Sequence, residues 1–372
     1  MNEKLSRLSV FSRLHVLHIV PGLLAGGMEL AMARVISGLN SAEIKHSIAC
    51  LKSEPEIIDK LPADVDIHLF YARPNEPQLP FRLARLIRKI RPDIIHARNW
   101  GAWPDVAVGR YLSWPPVPLI YSFHGLGVAG YMPWRRRAAS KILVHMTNHL
   151  FTLSRQSRDY LVQNWGWPED RTEIIPNGVD TNYFYPNHKP RGPRFIIGSV
   201  GNLRSVKNHR LILEACKPLL GEGHDLEIRI AGEGDLMGTL TNLADALSLG
   251  DRVVLPGRVE NIPEFLNELD LFVLSSDSEQ HPNALNEAMA CGIPSISTRV
   301  GCVEDLLDGG RCGTIVEPGD VEGLSAAIKS YLLDPDLRCS YGKFALEHVR
   351  KNYTFELMLD RYRKMYFSCA KY

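Results

Sequence analysis

Short apolar runs bounded by turn residues recur along the chain and alternate with stretches whose apolar positions fall at helical spacing. Residues 15–20, 46–51, 66–70, 94–96 and 119–123 are short and well bounded, as buried strands are. Between them, 28–39 is predicted to be helical, with Glu29 in the first turn where a carboxylate suits the helix dipole. In 80–90, Leu83, Leu86, Ile87 and Ile90 share one face, and Arg82, Arg85, Arg88 and Lys89 lie mostly opposite. After the polar, proline-containing stretch 188–193 the alternation resumes. Strands are predicted at 194–200, 226–231, from 253, at 271–274 and at 293–297. Helices are predicted at 209–220, at 286–290 and at 324–332, the last capped by Asp320. Gly292 stands where the 286–290 helix needs a left-handed residue to stop. A last helical pattern covers 355–367. Strand alternating with helix over this length is an α/β, doubly wound pattern. At 372 residues, two domains are expected, divided at the 188–193 linker into 1–188 and 189–353.

Composition adds little to the class but something to the partners. Hydrophobic residues make up 45% and charged residues 23%, as in ordinary globular proteins. The net charge of +1 conceals an asymmetry. Residues 1–190 hold 23 Lys/Arg against 16 Asp/Glu, a net of +7, and residues 191–372 hold 20 against 26, a net of −6. The two halves are therefore expected to meet different partners. Seven scattered cysteines without metal spacing suit a reduced, cytoplasmic setting. No apolar run approaches the ~20 residues of a membrane span. Basic residues ahead of an apolar stretch give 1–20 the outline of a signal peptide. His15 and His18 interrupt that stretch and Pro21-Gly22 ends it, so it reads as the first strand.

Ligands of open parallel sheets bind beyond the carboxyl ends of the strands, which directs attention to the loops there. Gly26-Gly27 open the first helix and leave backbone N–H groups uncovered, a candidate anion site. Arg98, Asn99 and Trp100 follow the 94–96 strand, and His124 follows 119–123. In the second half, the loop 201–209 carries Asn202, Arg204 and Lys207 into a helix start, where loop amides and the lysine can face a diphosphate. The loop after 271–274 carries Glu279, and eight residues later comes Glu287. Two carboxylates there can accept hydrogen bonds from the hydroxyls of a sugar or a ribose. Tyr131, Met132 and Trp134 stand beside Arg135, Arg136 and Arg137, a combination suited to an anionic bilayer surface. No nucleic-acid motif accompanies it. Asp64-Val65-Asp66 spells Asp-x-Asp, a spacing common by chance, and no metal-ligand cluster is visible.

The run Glu279-Gln280-His281-Pro282-Asn283, continuing through Glu287-Ala288-Met289-Ala290-Cys291-Gly292 to Pro294, resembles a known signature. It is the Glu-x7-Glu motif of retaining glycosyltransferases of the GT-B fold, glycosyltransferase family 4, of bacterial polysaccharide type. The usual form begins Glu-Gly-Phe-Pro-Asn, so Gln280 replaces Gly and His281 replaces Phe. The loop from Gly201 resembles the family's Gly-Arg-Leu-x-x-x-Lys, with Lys207 in register, Asn202 at the usual Arg position and Arg204 two residues later. Phe123-His124-Gly125, Gly26-Gly27-x-Glu29, Pro176-Asn177-Gly178-Val179-Asp180, Gly232-x-Gly234 and 300–304 resemble further family segments. The resemblance runs from about His15 to the last helix.

The resemblance implies two doubly wound Rossmann-like domains facing across a cleft, the first for the acceptor and the second for the donor. The last helix, about 354–372, would rejoin the first domain. The implied activity is metal-independent, retaining transfer of a sugar from a nucleotide-diphosphate sugar to a glycan or lipid-linked acceptor. It belongs with cell-surface polysaccharide or exopolysaccharide biosynthesis, in the cytoplasm or peripherally on the inner face of the plasma membrane. His124, Glu279 and Lys207 would be catalytic. Gly26, Gly27, Asn202, Arg204, Lys207, Gln280, His281, Pro282, Asn283 and Glu287 would bind the donor, and Arg98, Asn99 and Trp100 the acceptor. No cofactor, metal or nucleic acid is expected. Two alternatives share the fold: a sugar-nucleotide 2-epimerase, and a non-catalytic nucleotide-sugar-binding or scaffold protein. The departures at Asn202, Gln280 and His281 keep the latter open, and the acceptor-loop resemblance argues against the former.

Overall fold

The apolar runs of the first half become β1 (Leu14–Val20), β2 (Ile44–Cys50), β3 (Asp66–Leu69), β4 (Ile94–Arg98) and β5 (Leu119–Phe123), and two strands that no predicted run covers, β6 (His149–Thr152) and β7 (Thr172–Ile174), extend the same parallel sheet. Their order across the sheet is β3-β2-β1-β4-β5-β6-β7. The second half forms a sheet of β8 (Phe195–Val200), β9 (Leu226–Ala231), β10 (Val253–Gly257), β11 (Leu271–Leu274), β12 (Ser295–Thr298) and β13 (Thr314–Val316). Its order is β10-β9-β8-β11-β12-β13, and every pairing is parallel. The computed structural model describes residues 13–24, 26–52, 54–125, 133–187 and 192–370. Both sheets have the doubly wound arrangement in which strand order reverses at one point, between β1 and β4 in the first and between β8 and β11 in the second.

Helices cover both faces, which is why β4, β5, β11 and β12 are buried throughout, β11 as the continuous apolar run Leu-Phe-Val-Leu and β12 with Ser295, Ser297 and Thr298 buried beside Ile296. On one face of the first sheet, Leu17, Ile19, Ile95 and Tyr121 meet Leu83, Ile87, Trp103 and Val106 of the flanking helices. Trp103 stacks on Tyr121 with ring centroids 3.8 Å apart. The helix Leu79–Ile90 begins with Pro80 in its first turn, buries Leu83, Ala84 and Ile87, and stops at Arg91 in the left-handed conformation. The other face differs. There His18, His46, His96 and Ser122 are buried beside Tyr362 and Tyr366 of the last helix, Phe355–Cys369. In the second half, Gly292 takes a positive φ of 70° after the helix Asn283–Ala290. Asp320 caps Val321–Leu333 by accepting from the Gly323 N–H at 2.8 Å.

The chain divides into two units, one of residues up to Leu153 with Ser157–Ile175 and from Leu359 on, the other of Ser154–Gln156 and Pro176–Met358. The division falls at 175/176, ahead of the expected 188–193 linker, of which 188–191 lie outside the described residues. Hydrogen bonds account for the placement. Asn177 donates to Asn283 Oδ1 at 3.0 Å, and the backbone of Val179 pairs with Tyr353 and Phe355. The basic cluster Arg135, Arg136 and Arg137 lies in the first turn of a helix, Trp134–Leu143, whose start is set by Pro133. Tyr131 and Met132 lie outside the described residues.

Candidate functional site

In the second unit, the strands that flank the reversal deliver the two motif loops side by side. The loop after β8 carries Lys207 at the end of a short 3-10 turn, Ser205–Lys207, and the loop after β11 carries Glu279. Lys207 Nζ donates to Glu279 Oε1, and the same carboxylate oxygen accepts from the Ser276 hydroxyl at 2.9 Å. Backbone contacts lock the loops together. Asp277 N–H donates to Val206 O at 2.8 Å, and Ser275 Oγ donates to Lys207 O at 2.9 Å. The Lys207 and Glu279 side chains are mostly buried, so each electrostatic contact is stronger than at an open surface.

Two glycines make this approach feasible. Gly232, at φ 152°, faces the Gly201 carbonyl so closely that a side chain there would collide with it. Gly301, at φ 52°, lies against the backbone of Glu279 and Gln280, where a Cβ would overlap the carbonyl oxygens. Cys302 N–H also donates to Gln280 O at 3.3 Å. Each glycine is the residue type that permits both the conformation and the proximity.

The remaining motif positions fall around this pair. Asn202 and Arg204 are exposed on the β8 loop. Pro282 precedes the helix Asn283–Ala290, which carries Asn283 on its first turn and the half-buried Glu287 further along. Asn283 is engaged with Asn177 rather than free. His281 is 7% exposed and its ring packs edge-on to Tyr353 at 6.1 Å. Burial lowers its pKa to about 4, so it fills an apolar ring position as a neutral aromatic. That accounts for a histidine at a position where the resemblance expects Phe. His209, at the start of the following helix, is likewise buried, and burial together with Lys207 lowers it to about 4.

The first unit gathers its candidates at the corresponding reversal. Arg98 is the last residue of β4 and fully buried, not the loop residue expected. Asn99 follows in the left-handed conformation, φ 59°. Its amide bridges two neighbours: Oδ1 accepts from the His124 N–H at 2.9 Å, and Nδ2 lies 3.2 Å from Met28 Sδ on the first helix. His124 Nε2 lies 2.9 Å from Ser122 Oγ and 3.4 Å from an Arg98 nitrogen. Burial and the Arg98 charge hold its pKa well below 6.5, so the imidazole is neutral. Trp100 is half-buried, with the Arg136 guanidinium 5.8 Å from its ring centre. Gly26 is the N-cap of the helix Gly27–Leu39. The expected open anion site there is already occupied in part, because the Glu29 carboxylate folds back against Gly26. Burial raises the Glu29 pKa.

Asp64 and Asp66 are engaged in surface contacts. Asp64 accepts from Asn40 Nδ2 at 2.7 Å, and Asp66 pairs with Lys45 at 3.2 Å. Among the described residues, Asp308, Cys312 and His348 bring candidate metal-ligand atoms within 4.8 Å of one another. Both nitrogens of His348 are engaged, Nε2 with Asp305 O and Nδ1 with Asn352, each at 3.2 Å. Also among the described residues, no helix is long and apolar enough to cross a membrane.

What sequence reasoning missed is the polar interior behind His124. His18 Nε2 lies 2.9 Å from His46 Nδ1, and His96 bridges Ser122 and Tyr366. The histidines inside otherwise apolar strands were the available signal.

Residues 184–348 match the family described as glycosyl transferases group 1, and residues 25–183 match glycosyltransferase family 4. N-acetyl-alpha-D-glucosaminyl L-malate synthase of Bacillus anthracis is 31% identical over 176 residues, 47% of this chain and 46% of that one. That match spans about half of each protein. The capsular polysaccharide biosynthesis glycosyltransferase CapM of Staphylococcus aureus is 22% identical over 328 residues, 84% of this chain and 85% of that one. Among solved structures, a glycosyltransferase from Rickettsia africae superposes with a TM-score of 0.84 at 21% identity, covering 97% of this chain and 100% of that one. Anabaena HepE in complex with UDP superposes with a TM-score of 0.79 at 17% identity, covering 95% and 100%. At such identities the structural likeness speaks for the fold.

Proposed function

The chain belongs to the group 1, family 4 glycosyltransferases of the GT-B fold, and from that membership we propose that it transfers a sugar, with retention, from a nucleotide-diphosphate sugar to a glycan or lipid-linked acceptor. The observation that carries the reading is the convergence of Lys207 and Glu279 at the strand-order reversal of the second unit. A cation beside a carboxylate at that place suits the two ends of such a donor. The lysine would meet the diphosphate, and Glu279 the hydroxyls of the sugar.

The chemistry follows from the leaving group. Breaking the glycosidic bond to the diphosphate puts negative charge on its oxygens, and groups that meet that charge lower the barrier. Lys207 supplies a positive charge, the β8 loop supplies backbone N–H groups, and exposed Arg204 can add a second cation in place of the neutral Asn202. Glu287 would accept from ribose hydroxyls. His124, neutral and half-buried, would hydrogen-bond the donor sugar or the acceptor. These side chains carry the reaction in this proposal without a metal.

A polysaccharide or lipid-linked acceptor is supported by CapM, whose name gives it a role in capsular polysaccharide biosynthesis. It is supported also by the exposed Trp134 and Arg135–Arg137, which suit an anionic membrane surface where such acceptors reside. UDP bound to HepE makes UDP-sugars the first donors to try. The test is a thermal-shift panel of nucleotide sugars, followed by turnover with extracts of lipid-linked acceptor. Stabilisation by at least one nucleotide sugar and transfer to the acceptor are expected. Stabilisation without turnover would support the binding-protein alternative, and epimerisation of the free donor would support the 2-epimerase.

A further inference from the structure

A hydrogen-bonded chain runs from the last helix to His124 through the interior of the first unit. Tyr366 OH lies 2.9 Å from His96 Nδ1, His96 Nε2 lies 3.0 Å from Ser122 Oγ, and Ser122 Oγ lies 2.9 Å from His124 Nε2. Tyr366, His96 and Ser122 are fully buried. Each neutral imidazole has one donor and one acceptor nitrogen, and each hydroxyl has one proton. The chain can therefore be ordered with every donor pointing toward His124, with every donor pointing away, or with Ser122 Oγ accepting from both imidazoles, and only the first leaves His124 Nε2 an acceptor.

Arg98 breaks the tie. Its guanidinium can only donate, and Nη1 lies 3.4 Å from His124 Nε2. That nitrogen is then an acceptor, and Ser122 O–H donates to it as well. The single Ser122 proton being spent, His96 Nε2–H must donate to Ser122 Oγ, which makes His96 Nδ1 the acceptor of the Tyr366 O–H. Arg98 also acts electrostatically on Tyr366, so the same cation biases both ends of the chain. Such an order leaves the proton of His124 on Nδ1.

We propose that Arg98 and the Tyr366–His96–Ser122 chain act together as positioning residues that fix His124 as the Nδ1–H tautomer, Arg98 by making Nε2 an acceptor and the chain by aiming the Ser122 hydroxyl proton at that same nitrogen. His124 then presents a donor at Nδ1, suited to a hydroxyl or phosphate oxygen, while Nε2 is held inside the fold. The importance for catalysis rests on the reading of His124 as a ligand contact. The tautomer itself does not, because it exists without substrate.

The experiment is imidazole 15N NMR of the ligand-free full chain, with the His124 resonances assigned by their loss in His124→Gln. The wild type should show His124 protonated at Nδ1 and His96 protonated at Nε2. Tyr366→Phe removes the donor to His96 Nδ1, so His96 should shift toward a mixture of tautomers, and the His124 Nε2 resonance should follow as the Ser122 hydroxyl turns from it to His96, with Arg98 keeping the proton on Nδ1. Ser122→Ala cuts the last link, so the His124 Nε2 resonance should move while His96 keeps Nδ1 as its acceptor. A wild-type His124 protonated at Nε2 would overturn the proposal. So would a His96 shift in Tyr366→Phe that His124 does not follow. If Tyr366→Phe does not fold, Ser122→Ala decides: an unmoved His124 resonance contradicts the relay. Since no substrate is used, these failures are distinct from a failure to find glycosyl transfer.

Discussion

Lys207 and Glu279, 72 residues apart in sequence, form an ion pair where the adjacent strands β8 and β11 end. Each group is the other's partner in the ligand-free chain. A donor that offers phosphate oxygens to the lysine and sugar hydroxyls to the carboxylate can exchange this one contact for two. The pair thus keeps both side chains in place before the ligand arrives, which limits the ordering cost of binding.

Arg204 stands exposed two residues from the place where the family's arginine is expected. Arg204→Ala is expected to leave the melting temperature unchanged and to weaken donor binding about tenfold, the effect of one charge-assisted contact of ~1.5 kcal/mol. Asn202→Arg in that background should restore part of the loss. Titration of donor into the two variants checks it, and a silent Arg204→Ala would assign the residue to solvent.

His124 is held by Ser122, Arg98 and Asn99, and lies at the end of β5. Replacing it with alanine should reduce turnover by about tenfold or more, the scale of a lost transition-state contact. The melting temperature should stay near that of the wild type. Normal turnover, or a protein that no longer folds, would make His124 a structural residue.

The buried histidines make a prediction about pH. Burial comes first in lowering His18, His46, His96 and His124, with His46 at about 3 and the others shifted the same way, and the Arg98 charge adds to it. The unfolded chain binds protons near the ordinary value of 6.5 while the folded chain does not. Above that value the two states bind alike, so stability should hold. As pH falls below it, stability should decline by up to about 1.4 kcal/mol per pH unit for each such histidine. Melting temperatures between pH 8 and pH 5 check this, and a flat profile would contradict it.

Trp134 is 72% exposed, and Arg135, Arg136 and Arg137 are exposed beside it. If this helix start meets anionic lipid, each arginine should contribute roughly 1 kcal/mol, and binding should weaken with salt. Co-sedimentation with phosphatidylserine vesicles is the measurement. Binding that survives replacement of all three arginines would assign the surface to solvent.

Much of the architecture was legible because buried parallel strands are written as continuous apolar runs. β5, β9 and β11 fall on the residues their runs predicted. The helix Pro335–Asn352 went unnoticed although Asp334-Pro335 marks its start, with the Asp334 carboxylate accepting from Leu337 N–H at 2.9 Å. The motif loops were legible because their residues lie within one local segment each. The His96 network was not, since its partner Tyr366 is 270 residues away and nothing local specifies the pairing. His281 was misleading for a related reason: its departure from the usual Phe is a matter of burial, which the sequence does not state.

Titration of a nucleoside diphosphate, UDP first and then GDP and ADP, into the wild type and Lys207→Ala tests the central claim most directly. The wild type should bind at least one of them. Lys207→Ala should bind it more weakly by about 1.5–3 kcal/mol, roughly tenfold to a hundredfold, because a charge-assisted contact to the diphosphate is gone. A wild type that binds none of the three, or a Lys207→Ala protein that binds as tightly as the wild type, would contradict the assignment of this site to a nucleotide-sugar donor.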